Sequence, residues 1–123
     1  MRLAKPHKYR AKPCVIDGTH FPSQAEGRRY QELRLMEKAG EIADLVLQPA
    51  YPITINGALI GSYFADFRYR DNRNRQIIVE DVKGFANPLF LWKKKCVEAQ
   101  YGIQINIVKM KGASHGRRRS TKR

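Results

Sequence analysis

"ADFRYRDNRNRQIIVEDVKG", from Ala65 to Gly84, reads as two strands joined by a polar turn. Asp66 sits inside the first strand, and Glu80, Asp81 and Lys83 crowd the end of the second. Burying such charges costs several kcal/mol each unless they are paired or surround a metal. Side chains of a strand point alternately to its two faces, so Ile77, Val79, Asp81 and Lys83 share one face and Ile78, Glu80 and Val82 the other. Both faces are apolar in the first half, which marks a central strand covered on both sides. Asp81 and Lys83 stand about 7 Å apart along their common face, close enough to reach one phosphate. Glu80 points away from them, toward a sheet or helix contact on the far side. If residues 64–70 pair with residues 76–82 around the "DNRNR" turn, Asp66 lies beside Asp81. Two neighbouring carboxylates repel. A hard divalent cation removes that repulsion, and two carboxylates with a backbone carbonyl are enough to hold it, because magnesium keeps several waters. The competing reading of Asp81 and Lys83 is an ion pair on a fraying strand end.

Outward from this stretch, the pattern predicts helix, three or four strands, helix and strand. Ser23 followed by Glu26 is a capping box opening a helix over about Gln24–Ala39, which stops at Gly40. A strand is predicted near Ala43–Gln48, and Asn56-Gly57 between apolar alternations predicts a hairpin. Asp17-Gly18 marks a shorter hairpin in "CVIDGTHF". Asn87 as N-cap, Pro88 at the first position and Gly102 at the stop bound a second helix, and "IQINIVKM" is the last strand. On the second helix, Leu89, Trp92 and Cys96 read as the core face, and Lys93, Lys94 and Lys95 as a solvated face that can line a DNA groove. Glu26 falls between Tyr30 and Leu33 on the helical wheel, inside the apolar stripe, so it is aimed inward and is a third candidate acid besides serving its own cap.

The net charge is +13, and eleven of those charges lie in residues 1–13 and 111–123, which contain no acid. The reading is therefore a near-neutral domain over residues 14–110 between two flexible cationic arms. Such arms attract polyanions by counterion release, with little sequence preference. Lys8, Arg10, Lys12, Lys93, Lys94, Arg117, Arg118 and Arg119 are the candidate phosphate contacts. Cys14 and Cys96 have no metal-ligand spacing and are too few for a disulfide framework, which suits reduced thiols in a cytoplasmic protein. His7, His20 and His115 have no paired spacing. No serine or cysteine has an evident base, and no phosphate- or dinucleotide-binding glycine loop is present, so an organic cofactor is not expected. No apolar stretch reads as a signal peptide or reaches membrane-spanning length.

"ADF" followed by "VEDVKG" resembles the bipartite motif of the PD-(D/E)XK nuclease superfamily, an acid, a spacer, then acid-any-lysine. "SQAEGRRYQELRLMEKAGEI" and "LQP" resemble the first helix and following strand of a set of small phage-encoded members catalogued as a domain of unknown function. The resemblance spans Phe21 to Lys109. It implies an α/β fold with a restriction-endonuclease-like αβββαβ core, whose mixed central sheet is flanked by helices. It implies a Mg2+- or Mn2+-dependent endodeoxyribonuclease, with Asp66 and Asp81 ligating the metal and the Val82 carbonyl assisting. Lys83 then orients the attacking water or stabilises the charged phosphorane, Glu26 adds a metal ligand, and Gln48 supports the site. Ala65 replaces the motif's proline, and Glu80 adjoins Asp81, where strand alternation selects Asp81. Branched DNA, as for a Holliday junction resolvase, and a symmetric homodimer are within what the resemblance implies. The rival readings are a nucleic-acid-binding protein without catalysis on a degenerate nuclease fold, and a nuclease subunit of a larger phage complex.

Overall fold

Ser23 starts the first helix as its pattern predicts: its hydroxyl accepts the Glu26 N–H at 3.1 Å and donates to the Glu26 carboxylate at 3.1 Å. A computed structural model describes residues 12–84 and 86–110 of the chain. In it β1 (Cys14–Ile16) and β2 (Thr19–Phe21) form a short hairpin, and α1 (Gln24–Lys38) follows. Next come β3 (Ile42–Leu47), β4 (Ala50–Ile55), β5 (Ala58–Phe64), β6 (Phe67–Asp71), β7 (Gln76–Val82), α2 (Pro88–Tyr101) and β8 (Ile105–Val108). The central sheet has the order β3-β6-β7-β8, antiparallel except for the parallel β7–β8 pair that α2 connects. A parallel pair needs such a crossover. Omitting the two hairpins, the order is αβββαβ, as expected, with β4–β5 inserted as a separate two-stranded sheet.

The two faces of the sheet bury different layers. Tyr30 and Leu33 of α1 pack with Phe67, Tyr69 and Val82, and Phe21 and Ile42 complete that cluster. At Gly27 a methyl group would meet Cys14 Sγ at 2.6 Å and Ile16 Cδ1 at 2.8 Å, so the bare backbone lets α1 lie against β1. On the other face Phe90 and Val97 of α2 pack with Val79 and Ile105 and with Tyr51, Ile53 and Tyr63 of the β4–β5 hairpin. The central position of β7 thus follows from its two apolar faces, Val79 toward α2 and Val82 toward α1.

Two expectations change. The strand expected through Asp66 over residues 64–70 is broken: the chain leaves the hairpin sheet at Phe64 and enters the central sheet at Phe67. The cause is a change of backbone partners, with Ala65 N–H donating to the Pro49 carbonyl at 3.1 Å and Asp66 N–H to the Glu80 carbonyl at 3.0 Å. Asp66 therefore precedes β6 instead of sitting inside it. On α2, the core face is Phe90 and Val97, while Leu89 is 61% and Trp92 51% exposed, and Cys96 is only partly buried. Asn87 Oδ1 accepts the Phe90 N–H at 2.8 Å, and a helix started there turns Phe90 inward and Leu89 and Trp92 out.

Candidate active site

Every carboxylate singled out by the sequence is buried, and each is held by a different element. Asp66 and Asp81 are 2% and 0% exposed. Asp66 is fixed from three sides. Its N–H reaches β7, its carbonyl accepts the Gln48 N–H from the end of β3 at 2.9 Å, and its Oδ2 accepts the Val82 N–H at 2.7 Å. Gln48 thus contributes through its backbone, at a φ of 53°. The Val82 amide adjoins Asp81 in the chain, so both aspartates lie where β6 begins and β7 ends.

Asp81 Oδ2 accepts the Tyr63 hydroxyl, and the Lys83 ammonium lies 3.7 Å from Asp81 Oδ1. Lys83 Nζ in turn sits 4.5 Å from the centre of the Phe90 ring, in the range of a cation–π contact. Tyr63 and Phe90 are neighbours, with ring centres 6.2 Å apart. Asp81 and Lys83 therefore share the α2 face, as alternation requires, and the hairpin and α2 wall them in. Burial, then the charge and hydrogen bond of Asp81, then the charge of Asp66 push the Tyr63 phenol far above its ordinary value. Tyr63 is thus a lasting donor to Asp81 and lies within electrostatic reach of both aspartates. Sequence reading missed Tyr63, because nothing local says that β5 folds back onto β7.

Glu80 stands on the opposite face. Arg29 of α1 clamps it with two bonds, Nε to Oε1 at 2.9 Å and Nη2 to Oε2 at 2.7 Å, and the Tyr69 hydroxyl donates to Oε2. This is the far-side helix contact expected for Glu80. A broad groove of about 1160 Å3 runs along the same side and is lined by Arg29, Tyr69, Glu80 and Asn106 among others, but by neither Asp66 nor Asp81.

Glu26 is 8% exposed, inward as the helical wheel predicts, and engaged with Ser23. Among the described residues no group of three or more His, Cys, Asp or Glu side chains is placed to hold one metal ion. The capping box accounts for the bond of Glu26 to Ser23 over the first turn of α1. Lys93 and Lys94 also serve the fold: Lys93 Nζ donates to the Ser62 carbonyl at 3.2 Å, and Lys94 pairs with Glu98 at 2.9 Å. Lys12 is exposed; Lys8, Arg10, Arg117, Arg118 and Arg119 lie outside the described residues.

The tyrosines supply a pH test. Burial and, after it, the Glu80 bond raise the Tyr69 phenol, as burial and Asp81 raise Tyr63. Both folded values lie above the ordinary value of 10.0, so the neutral phenols favour the folded state fully below that pH. As pH rises past 10.0 the unfolded chain loses these protons first and stability falls. Urea unfolding is expected to show a decline of up to about 1.4 kcal/mol per pH unit for each tyrosine. Tyr63→Phe combined with Tyr69→Phe should remove that part of the slope; an unchanged slope would contradict the assignment.

Among the described residues no helix is long and apolar enough to cross a membrane. A family model described as Protein of unknown function (DUF1064) matches residues 6–114. No curated protein and no solved structure matches the chain.

Proposed function

The chain belongs to the DUF1064 family, and from its site we propose that it is a metal-dependent DNA endonuclease hydrolysing phosphodiester bonds. The observation that carries this reading is the pair of fully buried aspartates at the adjoining ends of β6 and β7, with Lys83 beside one of them. Two carboxylates braced by neutral donors, the Val82 amide and the Tyr63 phenol, form an oxygen set that suits Mg2+ or Mn2+. Asp66 and Asp81 would hold the ion. When bound, it supplies positive charge to the phosphodiester and makes water a better nucleophile at neutral pH.

The chain's own groups do the remaining work. Tyr63 keeps the Asp81 carboxylate in one orientation, and the Val82 N–H does the same for Asp66. Lys83 is seated on Phe90 with 11% of its side chain exposed, so its charge is positioned and shielded from bulk water. A preorganised cation of this kind stabilises the extra negative charge on phosphorus in the transition state. The cationic ends of the chain, rich in Lys and Arg, supply affinity for the DNA backbone. A phage origin, a branched substrate and a dimer that cuts two strands belong to the same reading.

A second reading, a nucleic-acid binder without catalysis, is favoured by the lack of a three-carboxylate group among the described residues. One assay separates the two. The protein is incubated with supercoiled plasmid and with a four-way junction, each with Mg2+, Mn2+ or EDTA. Metal-dependent cutting that EDTA abolishes is expected. Salt-sensitive gel shifts with no cutting in either metal would establish the binder instead.

A further inference from the structure

We propose that the exposed Leu89–Trp92 face of α2 is a docking surface for DNA bases that are out of the stack. This rests on the nucleic-acid half of the reading above and gives it a substrate class: single strands, flaps and opened branch points. Leu89 and Trp92, 61% and 51% exposed, are neighbours one turn apart on α2, and Leu91, 44% exposed, lies on the other side of Trp92 around the helix. Large apolar side chains gathered in this way on a surface mark an interaction site. The face lies on the outer side of the helix whose inner side carries Phe90 and, against it, Lys83.

Charge decides between the partners that an apolar patch can take. A second copy of the chain would bring the same lysines of α2 against it. Lys95, three residues from Trp92 and thus beside it on the helix, is exposed, while Lys94 and Glu98 satisfy each other. The patch therefore joins an indole ring and its neighbouring leucine to a cation. The complementary partner is both anionic and flat. An unstacked nucleotide has a phosphate and a π-face, whereas a blunt duplex hides its bases and offers phosphates alone.

Trp92 is the only tryptophan in the chain, so its fluorescence reports on this surface directly. The full-length protein is titrated in EDTA with a single strand, a blunt duplex of the same sequence and a duplex bearing a flap. Saturable quenching by the strand and the flap is expected, with little change on the duplex. Trp92→Ala should weaken binding to the strand by about tenfold or more, the size of one base–aromatic stack, and leave the duplex within about twofold. Trp92→Phe should restore most of the preference. Unchanged emission at saturation with the strand, or equal losses on all three DNAs, would overturn the proposal. So would a dimer in sedimentation that Trp92→Ala abolishes, because the face is then covered by a second copy. Failure to bind any DNA removes both this inference and the nucleic-acid reading. Strand preference without metal-dependent cutting leaves this inference standing and removes only the nuclease.

Discussion

Asp81→Asn is expected to slow DNA cleavage by at least about a thousandfold, because it removes several kcal/mol of metal-borne transition-state stabilisation. The change is nearly isosteric, and an amide oxygen can still accept the Tyr63 hydroxyl, so the buried site keeps its shape. Stability in the absence of metal should fall, because the change removes the Asp81 charge from beside a Lys83 side chain that is only 11% exposed, so rates are compared at a temperature where both proteins are folded. Ligand linkage gives a readout independent of cleavage. Adding Mg2+ or Mn2+ should raise the thermal midpoint of the wild-type protein, since whatever binds only the folded state stabilises it. Asp81→Asn should lose that rise. Lys83→Ala should keep it while losing about a hundredfold or more in rate, because an ammonium stabilises charge without ligating a cation. Cutting by Asp81→Asn near the wild-type rate, or an intact metal-dependent rise, would take Asp81 out of the site.

The parts of this site that the sequence shows are the ones governed by local geometry. Strand alternation places Asp81 with Lys83 and opposite Glu80, and a polar turn pairs β6 with β7, which brings the start of one strand beside the end of the other. The αβββαβ order follows in the same way from caps, turns and periods. What stays hidden depends on contacts between distant segments. Tyr63 reaches Asp81 only because the chain changes sheets at Ala65 and Asp66, a step written in the carbonyls of Pro49 and Glu80. The phase of α2 is hidden for another reason: Leu89, Phe90, Leu91 and Trp92 are consecutive apolar residues, and four in a row have no helical period. Glu26 satisfies two patterns at once, a capping box and an inward stripe, and the structure shows both, a buried carboxylate bonded to Ser23. The basic run on α2 is ambiguous in the same sense, since two of its lysines turn out to serve a hairpin carbonyl and a glutamate.

Arg29→Ala is expected to cost the fold about 3–5 kcal/mol, the largest single loss of stability foreseen for this protein. Glu80 has a side chain only 3% exposed, and its two oxygens take the two Arg29 bonds and the Tyr69 hydroxyl. Removing the guanidinium leaves that carboxylate buried with one neutral donor named. The strength of the clamp shows in Arg29 itself: its hydrogen bond to Glu80 outweighs burial and raises its pKa above the ordinary value. Arg29→Lys should recover only part of the loss, because an ammonium cannot offer the planar pair of donors. Arg29→Met with Glu80→Gln should be milder than Arg29→Ala alone, since no charge is then left unpaired in the layer between α1 and β7. Urea unfolding of the four proteins measures this ordering, and a loss of less than about 1 kcal/mol for Arg29→Ala would refute it. The double variant also tests the division of labour along β7. Glu80 and Asp81 are adjacent acids on opposite faces, one bonded to a helix and the other facing Lys83. If only Asp81 serves the chemistry, the double variant should still cut DNA at a temperature where it is folded, and it should keep the metal-dependent rise in its thermal midpoint.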